Sequence, residues 1–151
     1  MRKILCFLLF FALLFSAFSC DNATPDARMI MKNLKYVAKI DGHIYSSAAD
    51  EGEEGYIDGD LENMLFFGEA APQCYALILS PFIDYHHEVL LIIPTPYEDS
   101  DRLFDLARRR LCLILQDSDA QPEYGAEFIV YSTLPQDLDI RREVEKIISA
   151  T

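Results

Sequence analysis

Apolar and polar positions change rhythm several times along the chain. Residues 4–18 are almost wholly apolar, behind Arg2 and Lys3, with the small residues Ala17 and Ser19 at the exit. Residues 21–28 are polar and include Pro25. From Lys35 the pattern alternates, with Tyr36, Ala38 and Ile40 on one side and Lys35, Lys39 and Asp41 on the other. A period of two predicts a half-buried strand over 35–40. Asp41-Gly42 is a strong hairpin-turn pair, so Ile44-Tyr45 is expected to return as the partner strand. Residues 48–60 are acidic and glycine-rich and read as a loop with a second Asp-Gly turn at Asp58-Gly59, and 64–67 reads as a third strand.

Two short apolar runs follow, 75–80 and 89–93, each ended by proline: Pro81, then Pro94 and Pro96. Runs this short between breakers suit buried strands better than helices. A helix is predicted from Ser100 or Asp101, with Asp99 or Ser100 capping its first amides. Leu103, Ala107, Leu111 and Ile114 share one face of it, and the all-apolar stretch 111–115 predicts burial on several sides. The β-branched and aromatic run 128–131 predicts a central strand. Pro135 and Asp137 open a last helix with core face Ile140, Val144, Ile147 and Ile148. Strands on either side of a helix can run parallel through a right-handed crossover, whereas the early hairpin favours antiparallel pairing. The fold class expected is α+β: one mixed, mainly antiparallel sheet of about five strands, with two helices on one face.

The opening segment carries the strongest functional signal. A positive tip, a short apolar run and a small-x-small exit form the layout of a secretory signal peptide. The run is shorter than the roughly 20 residues that cross a bilayer as a helix. Ala17-Phe18-Ser19-Cys20 resembles the lipobox of bacterial lipoproteins, with Ala17 and Phe18 standing where that family usually has an aliphatic and then a small residue. The resemblance covers residues 1–20. It implies cleavage before Cys20, acylation of that cysteine and attachment to a membrane of the bacterial cell envelope. An ordinary cleaved leader and an uncleaved signal anchor are the alternatives. On this reading 1–19 is the signal peptide, 20–28 a lipidated tether and 29–151 a single globular domain. In a eukaryotic host, Asn22-Ala23-Thr24 would read as a glycosylation acceptor.

Charge narrows the partners. The whole chain is −12; Arg2 and Lys3 leave with a leader that holds no acid, so the mature part is −14. Such a surface is expected to repel nucleic acid and anionic lipid head groups, since both are recognised chiefly through Lys and Arg, and it excludes nucleic acid as a partner. It favours solubility and would attract a cationic partner. Of four cysteines, Cys6 lies in the leader and Cys20 is the acylation candidate. Cys74 and Cys112 are left as a possible disulfide in an oxidising envelope, or as two buried thiols.

Candidate chemistry is sparse. Asp84, His86, His87 and Glu88, with His43 as a possible third imidazole, have ligand types that suit zinc or copper. Adjacent strand residues point to opposite faces, so the two histidines share an ion only in a loop. Asp58, Asp60, Glu62 and Glu69 have a spacing slightly like an EF-hand calcium loop, with Asn63 where its glycine belongs. There is no Gly-x-Ser-x-Gly elbow and no phosphate loop. Arg108, Arg109 and Arg110 fan around a helix and are expected to pair with surface acids. Tyr36, Tyr45, Tyr75 and Tyr131 fall on the predicted strands, as a binding face or as core edge. No cofactor and no catalytic set are expected. The expected function is a membrane-anchored, non-catalytic binding or assembly module for an unidentified protein or small ligand. An acidic inhibitor of a cationic secreted protein and a metal-dependent enzyme using His86 and His87 are the alternatives.

Overall fold

A computed structural model describes residues 25–80, 87–135 and 138–150. The elements in order are α1 (Ala27–Ala38), β1 (His43–Ser46), α2 (Gly59–Phe66), β2 (Tyr75–Leu79), β3 (Glu88–Ile92), α3 (Ser100–Leu115), β4 (Glu123–Tyr124), β5 (Ile129–Ser132) and α4 (Ile140–Ser149). The strands form one sheet in the order β1-β2-β3-β5-β4, and every neighbouring pair is antiparallel. The fold is therefore α+β. β3 and β5 pair antiparallel, Val89 opposite Ser132 and Ile92 opposite Ile129, although α3 lies between them in the chain.

β2 and β3 read as unbroken apolar runs because both of their faces are covered. Ala76, Ile78, Val89, Leu91 and Val130 pack beneath α1 and α4, against Ile30, Met31, Leu34, Ile140 and Val144. Tyr75, Leu77, Leu90, Ile92, Ile129 and Tyr131 face the other way, against Leu65, Phe66, Leu103, Leu106 and Leu111 of α2 and α3. The sheet thus lies between two helical layers. The two helices foreseen from the sequence, α3 and α4, sit on opposite faces, each beside a helix that the pattern did not announce.

Both unannounced helices correct the local reading. Residues 35–40 belong to the end of α1 and its exit. Asp26 caps the helix by accepting from Arg28 N at 2.9 Å, and Ala27, Ile30, Met31 and Leu34 form its buried stripe at helical spacing. Part of the expected tether is therefore helix. Asp41-Gly42 joins α1 to β1 and makes no hairpin; Gly42 has φ +145°, and a side chain there would collide with the Leu79 carbonyl. β1 pairs instead with β2, Ile44 opposite Ile78. Residues 64–66 close α2, with Phe67 as its left-handed cap. Asp58 accepts from Leu61 N at 2.8 Å, so Asp58-Gly59 starts a helix where a turn was expected.

α3 begins as expected: Asp99 accepts from Asp101 N at 3.0 Å and Arg102 N at 3.3 Å. Its second half is not buried all round, since Leu113 and Leu115 are exposed. α4 is capped by Asp139, which accepts from Arg142 N at 2.9 Å.

Candidate functional site

Glu88 and Tyr131 lie on the α3 side of the sheet, and Arg110 reaches them from the helix. Arg110 Nε meets Glu88 Oε1 at 3.1 Å and Nη2 meets Oε2 at 2.9 Å, a two-pronged ion pair out of water. The Tyr131 hydroxyl donates to the same Oε1. Burial opposes the Arg110 charge, but hydrogen bonding and attraction to Glu88 prevail and hold its pKa above the ordinary value. Burial, then the Glu88 charge, pushes the Tyr131 hydroxyl well up. Glu88 also anchors the strand end through its backbone, donating to Thr133 Oγ1 at 2.8 Å and accepting from Thr133 N at 2.9 Å. This cluster is a buried structural contact, with Glu88 and Arg110 0 and 5 % exposed.

That arrangement changes the reading of two motifs. Arg110 turns inward and does not pair with a surface acid as anticipated. Arg108 and Arg109 do so, with Asp105 at 2.7 and 3.1 Å and with Glu69 at 2.6 Å. Both oxygens of Glu88 are engaged, which removes it from the proposed metal set. His87 Nδ1 lies 3.3 Å from the Thr133 carbonyl. Asp84 and His86 lie outside the described residues. Among the described residues, no group of three or more His, Cys, Asp and Glu side chains is placed to hold a metal ion.

The calcium-loop spacing is split by structure. Asp58 caps α2, Glu62 accepts from the Tyr75 hydroxyl at 3.0 Å, and Glu69 pairs with Arg109, while Asp60 stands in the first turn of α2. The cap and the helix commit Asp58 to Leu61 N and Glu62 to Tyr75, so these acids form no ring of ligands. Cys74 and Cys112 are free thiols, so the possible disulfide is not formed. Cys74 Sγ donates to Pro25 O at 3.7 Å on the α1 side, and Cys112 Sγ donates to Ala120 O at 3.4 Å after α3. Burial raises the Cys74 pKa, which suppresses the thiolate. Of the tyrosines, Tyr75 and Tyr131 are core, whereas Tyr36 stands out in solvent on α1. Cys20 lies outside the described residues.

Positive charge gathers in one place. Residues 27–40 contain Arg28, Lys32, Lys35 and Lys39 and no acid. They follow one side of α1 and meet the edge strand β1, with a small cleft of about 150 Å³ between Arg28, Lys32, Lys35 and His43. Arg28 is held by Glu53 at 3.3 Å and the Glu54 carbonyl at 2.7 Å, and Lys35 Nζ donates to the Gly42 carbonyl. Lys32 and Lys39 make no ion pair among the described residues. Around the end of the helix, Lys32, Tyr36, Val37, Lys39, Ile40 and Ile44 border an open groove of about 730 Å³, with Asp41 as its acidic member. Sequence reading missed this surface because it placed 35–40 in a strand. The run of four basic residues without an acid was the available signal.

A second cleft, about 480 Å³, lies at the sheet end beside Pro25, between 93–98 and 124–129. Glu98 braces its wall, accepting from Thr95 N and Gln73 N, each at 2.9 Å. Burial raises its pKa, but these amide hydrogen bonds outweigh that and hold it below the usual carboxylate range.

The molecule is thus an α+β domain with an antiparallel five-stranded sheet between two helical layers and a basic helix in a chain of net negative charge. No protein-family model, no curated protein and no solved structure matches the chain.

Proposed function

We propose that this chain is a membrane-anchored lipoprotein of the bacterial cell envelope, whose domain acts by binding and not by catalysis. One observation carries the reading. The apolar run and the lipobox-like Ala17-Phe18-Ser19-Cys20 end five residues before Pro25, where the described fold begins. Acyl chains on Cys20 would hold the domain close to the bilayer, because residues 20–24 span at most about 17 Å when extended. No helix among the described residues is long and apolar enough to cross a membrane. Fractionation of cells expressing Cys20→Ala tests the reading. The variant is expected in the soluble fraction and its parent in the membrane fraction; equal membrane association overturns it.

A second reading is compatible with the first. Residues 50–69 carry eight acids and no basic residue. That segment favours a cationic secreted protein as the partner, held in part by charge. Binding to a lysozyme-like basic protein is expected at low ionic strength and should fade with salt. Absence of binding at low salt removes this partner.

A further inference from the structure

We propose that the outer face of α1 is a membrane-contact surface that lays the domain against anionic lipid head groups. This rests on the anchored reading above. The juxtaposition is of three features on one helix and its cap: exposed apolar side chains, lysines without an ion pair among the described residues, and the end of the proposed tether.

Met29, Tyr36 and Val37 are 54, 86 and 57 % exposed. Met29 and Tyr36 fall at i and i+7 and share the side of α1 opposite its buried stripe of Ile30, Met31 and Leu34, while Val37 borders that stripe beside Ile30. Lys32 and Lys39 lie beside Tyr36 along one border of this face and lack ion-pair partners among the described residues. A soluble helix ordinarily turns charge, and little else, to water on that side. Large apolar groups beside a row of lysines are the composition of a helix lying in the interface, with apolar groups in the head-group layer and ammonium groups on the phosphates.

Charge distribution across the molecule points the same way. With their caps, α1 and α4 beside it hold seven basic residues against Asp26, Asp139, Glu143 and Glu145. This layer is therefore +3, and the rest of the −14 mature chain carries −17. An anionic bilayer attracts the first and repels the second, so only one orientation is favourable. The opposite helical layer then faces away from the membrane. Anchor position fits as well. The tether reaches Pro25 at the N-terminal end of α1, and the helix is about 18 Å long at 1.5 Å per residue.

The full mature protein, purified with its native N-terminus, would be mixed with excess vesicles and footprinted with hydroxyl radicals. One set of vesicles is phosphatidylcholine alone, and the other is about one-third phosphatidylglycerol. Flotation with the neutral vesicles reports the acyl anchor, which ignores head-group charge. The difference between the two footprints reports the α1 contact. Oxidation of Met29 and Tyr36 is expected to fall about fivefold or more on the anionic vesicles, while Leu113 and Leu115 on the opposite layer react as before. In about 1 M salt, where the Debye length shrinks to about 3 Å, the protection should disappear. Lys32→Gln with Lys39→Gln should abolish it, and the paired Lys→Arg changes should keep it. Identical Met29 and Tyr36 footprints on both vesicles overturn the contact even if the protein floats. Protection at Leu113 and Leu115 instead, or protection of Tyr36 by a polyglutamate peptide but not by vesicles, also overturns it. A protein that fails to float on neutral vesicles defeats the anchor reading, and its footprint on the anionic ones still decides the contact.

Discussion

Glu88 and Arg110 give up hydration to each other beneath α3, and the Tyr131 hydroxyl completes the set. A buried pair is weak evidence of net stabilisation, but losing one partner strands the other charge. Arg110→Ala is therefore expected to cost about 3–5 kcal/mol in urea unfolding, and Glu88→Leu with Arg110→Met much less than Arg110→Ala. Equal losses would mean that the contact is packing alone. Position 110 was legible in principle. It lies on the stripe of Leu103, Leu106, Ala107 and Ile114, so helical geometry points it inward, unlike Arg108 and Arg109. Three arginines in a row concealed that difference, and no sequence feature announces Glu88 as its partner.

Tyrosine ionisation gives a second test at this scale. Burial, and then the charge of Glu62 for Tyr75 or of Glu88 for Tyr131, raises both hydroxyls above their ordinary value near pH 10. A raised folded pKa means that the folded chain keeps a proton which the unfolded chain releases. The resulting stability is whole below about pH 10 and is lost as the pH climbs further. Ultraviolet titration should show Tyr75 and Tyr131 ionising only as the protein unfolds, and Tyr131→Phe should remove one of these two late steps. Both groups titrating in the folded protein near pH 10 would contradict the buried assignment.

Elements were most legible where burial is one-sided or complete. The β2 and β3 runs, and α3 with its Asp99 cap, follow directly from apolar spacing and breakers. α1 was obscured by its own surface, since Tyr36 and Val37 are apolar yet exposed and break the contrast that marks a helix. α2 was obscured by Asp58-Gly59, because Asp before Gly serves a turn and a helix cap equally well. The two readings of α1 predict different mutants. Leu34→Ala should cost about 2–5 kcal/mol through a core cavity, and Tyr36→Ala within about 0.5 kcal/mol because it leaves solvent-exposed surface. A strand at 35–40 would bury Tyr36 and make the second change the costly one. Thermal or urea unfolding of the two variants distinguishes them.

At the scale of the whole molecule, polarity is the organising feature. The leader-like segment, the tether and α1 follow one another in the chain, and the basic helical layer stands against an acidic remainder. The net charge was plain from composition. Its segregation was not, because it depends on which helices share a face of the sheet, and that depends on the β1-β2-β3-β5-β4 order. The calcium spacing dispersed, and Glu88 left the metal set, for the same reason: local spacing did not reveal that α2 is a helix or that Arg110 claims Glu88. What remains from the opening residues is the prospect of a thioether-linked lipid. Intact-mass and fragment analysis of the native N-terminus tests it most directly. The account predicts a mature chain that begins at Cys20 and carries acyl mass on that residue. A chain that retains Met1, or begins with unmodified Cys20, contradicts it.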